Sequence, residues 1–173
     1  RDEAAAALGV GERLARAAAD AGGALQLAGE MGIGNSTAAA ALVCALAGVP
    51  PEGACGHGAG LDDATVAHKA RVVAAALGRH APRRDDALGA LAAVGGLEIA
   101  AMAGLMLGGA RRRLPVVVDG FISGAAALVA VALDARVRDY LVLSHQSAER
   151  GAKALAVALG LEPLVDLGLR LGE

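Results

Sequence analysis

Three times along the chain, a short apolar run ends at a polar or glycine-containing loop, and a helical stretch follows the loop. The apolar runs begin at Leu25, Val116 and Tyr140. Apolar runs of this length are typical of buried strands, and strands that alternate with helices favour a parallel sheet covered by helices. The sequence therefore predicts an α/β fold, and we expect one domain because no linker or charge block divides the chain.

The loops after these three predicted strands carry the residue types of a binding site. They cover residues 30–35, 119–123 and 144–147. In parallel sheets, ligands bind beyond the carboxyl ends of the strands. We therefore expect the three loops to line one crevice.

Glycine, proline and N-cap residues set the expected ends of the helices. The predicted helices cover residues 2–21, 36–47, 64–77, 86–94, 97–107, 123–133 and 148–159. Asp62 and Asp63 stand where an N-cap and a first-turn acid belong, and Gly78 is expected to end the helix that follows them. Residues 51–60 are expected to form an irregular loop, whereas residues 164–171 fit either a helix or a strand.

The composition predicts a core of small side chains. Ala and Gly supply 45 and 25 of the 173 residues, whereas aromatic residues make up only 1%. The hydrophobic content of 55% excludes a disordered chain. We therefore expect Ala, Leu and Val side chains to pack at close range.

Several classes of partner are excluded by charge and hydropathy. A net charge of −2 and a pI near 6.1 give no basic surface for nucleic acid. The longest uncharged apolar run, residues 121–133, is shorter than the roughly 20 residues that span a membrane. Residues 1–30 lack the pattern of a secretory signal, so we expect two reduced cysteines and a cytoplasmic protein.

The first loop has the composition of an anion site. Gly29, Gly32 and Gly34 precede Asn35 and Ser36 at the start of a predicted helix. Glycines let backbone N–H groups approach a phosphate, and a helix N-terminus adds partial positive charge. The loop is not a Walker loop, because no Lys precedes Ser36. The pattern fits a strand-to-helix turn that binds nothing equally well.

Taken alone, the other candidate residues also fit ordinary structural positions. Residues 56–60, with alternating glycines, suit either an anion or a flexible connection, and Lys69 suits a surface position on its helix. Asp119 suits a sugar hydroxyl or an ordinary Asp-Gly turn. His145 suits either acid–base chemistry or a solvated position.

A metal site is not expected from the cysteines. Cys44 lies in the middle of a predicted helix, and Cys55 and His57 have no further ligand at the spacing of a structural zinc site. We therefore expect no metal.

Longer motifs narrow these alternatives. In chain order they are residues 29–37 (GEMGIGNST), 94–104 (VGGLEIAAMAG), 116–127 (VVVDGFISGAAA) and 144–149 (SHQSAE), with a continuation at 167–173 (LGLRLGE). Together they resemble the nicotinate-nucleotide–dimethylbenzimidazole phosphoribosyltransferases, the CobT family, from about residue 5 to the last residue. The resemblance implies a Rossmann-like three-layer α/β/α fold with a parallel sheet, of which this chain is the nucleotide-binding core of the large domain.

The resemblance also implies a reaction. The family transfers phosphoribosyl from nicotinate mononucleotide to 5,6-dimethylbenzimidazole, which gives α-ribazole 5′-phosphate and nicotinate for the lower ligand of cobalamin. Glu173 matches the catalytic base, and Glu30 matches a second glutamate in the site. No cofactor is implied, and full-length members are expected to be homodimers.

The resemblance assigns further residues to substrate binding. Gly32, Gly58, Gly120 and Lys69 match positions around the phosphate and the ribose. The remaining expected contacts are Gly34, Asn35, Ser36, Asp119, Phe121, Ser144, His145 and Leu171.

This chain departs from the family in two ways. Members are about twice this length, so we expect a fragment truncated at both ends, which lacks most of the benzimidazole pocket and is inactive by itself. The second loop carries His57 and Ala59 where Arg and Thr are usual, which predicts a weaker phosphate affinity. A non-catalytic module that binds a mononucleotide, and a purely structural remnant, are the alternative interpretations.

Overall fold

The computed structural model describes residues 1–58 and 60–168. Within these ranges, the chain forms eight α-helices and three strands, and five of the helices lie between the first and second strands. The helices are α1 (Asp2–Asp20), α2 (Ser36–Ala47), α3 (Pro51–Ala54), α4 (Asp63–His80), α5 (Ala87–Val94), α6 (Leu97–Arg111), α7 (Phe121–Leu133) and α8 (Arg150–Leu159). The strands are β1 (Gln26–Ala28), β2 (Val116–Val118) and β3 (Leu141–Leu143), and a short 3-10 helix (Ala135–Tyr140) precedes β3.

The sheet has the order β1-β2-β3, and both strand pairs are parallel. Gln26 pairs with Val116, which pairs with Leu141 in turn. All three strands therefore end at the same edge of the sheet, and the loops that follow them start there. The α/β fold with a parallel sheet, predicted from the three apolar runs, is confirmed.

Helix α7 lies at the centre of the core. Every residue from Phe121 to Ala130 is buried, and α2, α6 and α8 pack around this helix. Phe121 is among the largest fully buried side chains, and most of its neighbours in the core are Ala, Val and Leu. The expected core of small side chains at close range is thus present.

Helices α1 and α6 cross with their backbones in contact. A Cβ on Gly11 would overlap the carbonyl oxygen of Ala101, and a Cβ on Gly104 would overlap the carbonyl oxygen of Leu8. Glycine therefore sets the distance between these helices. Ion pairs also join α1 to the C-terminal end of α6, between Arg111 and Glu12, at 2.7 Å, and between Arg112 and Asp20, at 2.5 Å.

Helix α4 begins as predicted but does not end as predicted. The Asp62 carboxylate caps it by accepting a hydrogen bond from the Thr65 N–H at 2.8 Å. Hydrogen bonding from the Thr65 side chain, and then from its N–H, lowers the pKa of Asp62. The expected end at Gly78 is wrong, because one helical glycine costs only about 1 kcal/mol. The helix continues to His80 and ends where Ala81 has a φ of 42°, just before a proline.

Two loop predictions also change. Residues 51–54 form the short helix α3, because Pro51 is preorganised for a first helical position. After α8, Val165 makes an isolated parallel bridge to His145, so the ambiguous segment runs beside the end of β3. No helix in the described residues is both long and apolar enough to cross a membrane.

Candidate functional site

A cleft of about 630 Å³ opens between the first glycine loop, the second glycine loop and α4. It gathers many of the residues that the sequence predicts for substrate binding. These are Glu30, Gly32, Gly34, Asn35, Ser36, Gly58 and Lys69.

The first loop folds around the Glu30 carboxylate. Glu30 Oε2 accepts hydrogen bonds from the Gly32 N–H, at 2.5 Å, and from Asn35 Nδ2. A Cβ on Gly32 would overlap both side chains, and Gly34 has a φ of 85°, so both positions favour glycine. Asn35 is the N-cap residue of α2, but its side chain binds Glu30 and makes no capping bond. The first N–H groups of α2 therefore lack a side-chain cap and can serve a ligand.

Lys69 is a buried cation in the wall of this cleft. Lys69 is only 6% exposed to solvent, and its Nζ donates a hydrogen bond to Ser36 Oγ at 3.0 Å. No carboxylate of the described chain lies within 4.0 Å of this ammonium. Buried charges are ordinarily paired, so an ammonium without a carboxylate partner in a cleft wall is a candidate contact for an anion. The surface position suggested by the helix pattern alone is wrong.

The second glycine loop is held from two sides. The Gly58 N–H donates to Glu149 Oε1 at 2.6 Å, so this N–H is already bonded to a carboxylate. His57 Nε2 lies 2.9 Å from Asp63 Oδ1, which links the loop to the first turn of α4. Gly58 lines the cleft with its N–H held by Glu149. A role for Glu149 was not predicted from the sequence.

The loops after β2 and β3 line a different, much smaller cavity of about 20 Å³. Asp119, Gly120, Phe121 and His145 contact it. The expectation of one shared crevice is therefore wrong. The first turn of α7 separates the two spaces, because Phe121 faces the small cavity while the next residue, Ile122, faces the cleft.

Hydrogen bonds tie the two strand-end loops together beside this small cavity. Ser144 Oγ donates to the Asp119 carbonyl at 2.7 Å and lies 2.9 Å from His145 Nδ1. The Asp119 carboxylate lies next to Gly29, at the beginning of the first glycine loop. Asp119 is thus the strand-end residue that reaches toward the cleft loop.

Several cleft residues were missed from the sequence. Met31 and Ile33 project from the first loop with exposed fractions of 88% and 104%. Helix α4 and the loop before it contribute apolar and polar side chains to the same cleft. These side chains are those of Leu61, Thr65, His68 and Val72. Thr65 and Val72 lie four and three residues from Lys69, and this helical spacing relates them to that lysine.

Both thiols are buried and free. Burial, followed by the neighbouring Cys55, raises the pKa of Cys44 to about 12, and burial also raises the pKa of Cys55. Among the described residues, no group of three or more His, Cys, Asp and Glu side chains is placed to hold a metal. The predicted site residues Leu171 and Glu173 lie outside the described ranges.

Comparison with known proteins finds one family over the whole sequence. A model described as "phosphoribosyltransferase" matches residues 1–173. The chain is 52% identical over 172 residues to the nicotinate-nucleotide–dimethylbenzimidazole phosphoribosyltransferase of Chromobacterium violaceum, covering 99% of this chain and 50% of the relative. The enzyme of the same name from Salinispora tropica is 53% identical, over 100% of this chain and 48% of the relative.

Solved structures agree with the sequence comparison. The crystal structure of CobT from Thermus thermophilus superposes with a TM-score of 0.94 at 46% identity, covering 99% of this chain and 51% of that protein. The chain spans about half the length of the curated relatives it matches.

Proposed function

The chain belongs to the CobT family of phosphoribosyltransferases, and from this premise we propose that it is the nucleotide-binding core of such an enzyme. The proposed donor is nicotinate mononucleotide and the proposed acceptor is 5,6-dimethylbenzimidazole. The products are nicotinate and α-ribazole 5′-phosphate. Because the chain spans half of its relatives' length, the proposal assigns donor binding to these residues and leaves much of the acceptor pocket to other segments.

The observation that carries the proposal is the buried, uncompensated charge of Lys69. Its Nζ is fixed by Ser36 Oγ at 3.0 Å, one residue after the N-cap of α2. A phosphate in the cleft would accept from this ammonium, from the Ser36 hydroxyl and from the uncapped N–H groups of α2. These donors lie on two helices that are fixed by the core, so the phosphate site needs no large rearrangement.

The apolar part of the cleft supports a planar aromatic base next to the nucleotide. Met31 and Ile33 are exposed on the first loop, and Val72 of α4 lines the same cleft. Exposed apolar side chains that cluster at a cleft indicate a binding surface. A benzimidazole ring and a pyridine ring both suit such a surface.

The proposed reaction balances with a single base. One benzimidazole nitrogen attacks the anomeric carbon of the ribose while the bond from that carbon to the pyridinium nitrogen breaks. The electron pair of that bond neutralises the leaving nicotinate ring, so a general acid is unnecessary. The other benzimidazole nitrogen loses its proton to a carboxylate, and general base catalysis of this kind contributes about 10²–10⁴-fold.

We propose Glu173 as that base, on the family motif that ends the chain. Glu30 faces the cleft, but its Oε2 already accepts from the Gly32 N–H and from Asn35 Nδ2. These bonds hold the Glu30 side chain against the first loop. We therefore assign Glu30 to organising the loop and lining the site.

A second candidate function is nucleotide binding without transfer. It needs only the candidate anion contacts of the cleft, Lys69 and Ser36, and no catalytic base. Both candidates predict that nicotinate mononucleotide binds in the cleft. Only the first predicts α-ribazole 5′-phosphate when the complete protein is incubated with both substrates.

Calorimetric titration with nicotinate mononucleotide tests the donor site. We expect the 173-residue chain to bind the nucleotide saturably, and we expect Lys69→Met to weaken binding at least about ten-fold, because a charge-assisted hydrogen bond is lost. Lys153, the other lysine of the chain, is exposed on α8 and provides the control Lys153→Met. Equal affinities for the two variants would remove Lys69 from the site, and a folded chain without any binding would contradict the proposed function.

A further inference from the structure

Glu149 is a buried carboxylate where the second glycine loop meets α8. The residue is only 7% exposed and is the N-cap residue of α8. A buried charge needs compensation from polar groups. Here the N-terminus of α8 supplies partial positive charge, and the Gly58 N–H donates to Oε1 at 2.6 Å.

The loop is shaped to accept this carboxylate. A Cβ on Gly56 would overlap Glu149 Oε2 and would lie 3.1 Å from the Arg150 backbone nitrogen. The missing side chain at Gly56 therefore gives the carboxylate its place beside the loop. Gly58, which makes the hydrogen bond, has a φ of 51° and lines the cleft.

The other end of this contact is rigid. A Cβ on Gly151, in the first turn of α8, would overlap the Phe121 ring and the Ala54 carbonyl oxygen, so the turn packs directly on α7 and α3. The Glu149 backbone N–H also donates to Ser147 Oγ at 3.3 Å. The carboxylate thus extends from a fixed helix end to the glycine loop, which starts shortly after the end of α3.

The environment of the second carboxylate oxygen indicates a role beyond packing. Within the described residues, Glu149 Oε2 is buried and has no hydrogen-bond partner. An unsatisfied buried acceptor lowers stability, so an apolar residue would suit a purely structural contact better. Neither oxygen is free to reach a ligand in the cleft, because Oε1 is bonded to Gly58 and Oε2 is enclosed.

We propose that Glu149 is a positioning residue for nucleotide binding. Its carboxylate fixes the Gly58 N–H and thereby holds the second loop as the wall of the cleft that also contains Lys69 and Ser36. Loss of the acceptor would release the loop and lower the affinity for the nucleotide without removing any group that contacts it. The proposal rests on the proposed function, since it assumes that the ligand of this cleft is nicotinate mononucleotide.

Two substitutions separate the hydrogen bond from the charge. Glu149→Ala removes the acceptor, whereas Glu149→Gln keeps a carbonyl oxygen for the Gly58 N–H. Glu162→Ala, at an exposed glutamate after α8, is the matched control. Nucleotide affinity is measured by calorimetry, and protection of the Gly58 amide is measured by hydrogen exchange with NMR.

We expect Glu149→Ala to weaken nucleotide binding about ten-fold and to speed exchange of the Gly58 amide, because one charge-assisted hydrogen bond is lost. Glu149→Gln should stay within about three-fold of the parent affinity, since a neutral acceptor retains much of that bond. Glu162→Ala should change neither quantity. Parent affinity in Glu149→Ala, or equal losses in the Ala and Gln variants, would overturn the proposal.

A second variant covers the case in which Glu149→Ala does not fold. Gly56→Ala leaves the carboxylate in the chain but displaces it from the loop, so it should give the same loss of affinity. If the parent chain binds no nucleotide, the proposed function fails, and the role of Glu149 in nucleotide binding fails with it. If the parent binds the nucleotide but Glu149→Ala leaves the Gly58 amide fully protected, the proposed function stands and only the Glu149 proposal is overturned.

Discussion

The two thiols give the most direct prediction at the level of single residues. Burial raises the pKa of Cys44 to about 12 and also raises the pKa of Cys55. The thiolate is the reactive form, so both thiols should be nearly inert in the folded chain at about pH 8. We expect a chromogenic disulfide reagent to react at least about a hundred-fold more slowly with the folded chain than with the chain in urea.

The measurement includes its own control, because unfolding exposes the same two thiols. Cys44 and Cys55 are the cysteines of the chain, so full reaction in urea must give two equivalents. Rapid reaction of one equivalent in the folded chain would show that one of these side chains reaches solvent.

Lys69 shows what the sequence alone left undecided about the site. Its own helix pattern suits a surface residue, and only the family resemblance assigned it to the nucleotide. Its burial depends on contact with Ser36, 33 positions away, which no local pattern encodes. Glu149 was missed for the same reason, since its partner Gly58 is 91 positions away. The glycine loop around Glu30, whose contacts are local, was found from the residues themselves.

At the level of elements, two glycines in α1 should respond to alanine in opposite directions. A Cβ on Gly9 would meet only the flexible end of Arg13, at 3.4 Å, whereas a Cβ on Gly11 would overlap the backbone of α6. We expect Gly9→Ala to stabilise the chain by about 0.5–1 kcal/mol through helix propensity. We expect Gly11→Ala to destabilise it by about 1–3 kcal/mol through overpacking.

Urea unfolding followed by circular dichroism measures both changes. The two variants add the same methyl group to the same helix, so each serves as the control for the other. A similar shift of both midpoints in one direction would mean that propensity, and not the crossing of α1 with α6, decides the effect.

The elements themselves were largely predictable because their signals are local. Short apolar runs before glycine or aspartate indicated the first two strands, a similar run before a polar loop indicated the third, and Asp62 indicated the start of α4. The end of α4 was not predictable from Gly78, because the remaining helical hydrogen bonds outweigh the cost of one glycine. The separation of the cleft from the small cavity depends on where α7 begins, which is a tertiary property.

At the level of the whole molecule, the proposed anion site should combine ligand binding with a cost in stability. The core around α7 fixes α2 and α4, and these helices hold the Lys69 ammonium where no carboxylate of the described chain neutralises it. On the proposed function, we expect this charge to favour the unfolded chain until an anion binds. The apo chain should therefore be less stable than its packing alone allows, and the nucleotide should restore that stability.

Lys69→Met should expose this trade-off. Methionine has a similar length and no charge. We therefore expect the unliganded variant to be as stable as the parent or more stable, by up to about 4 kcal/mol in the free energy of unfolding. A saturating nucleotide at about 100 times the dissociation constant should stabilise the parent by about 2.7 kcal/mol, because it binds only the folded state. If the substitution weakens binding by at least about ten-fold, the same nucleotide concentration should stabilise the variant by about 1.4 kcal/mol or less. Thermal unfolding of the parent and of Lys69→Met, each with and without nicotinate mononucleotide, measures these four stabilities. The control Lys153→Met should match the parent in both conditions. A Lys69→Met chain that is clearly less stable than the parent would mean that the ammonium is compensated within the protein, and the interpretation of the cleft as an anion site would then lose its main support.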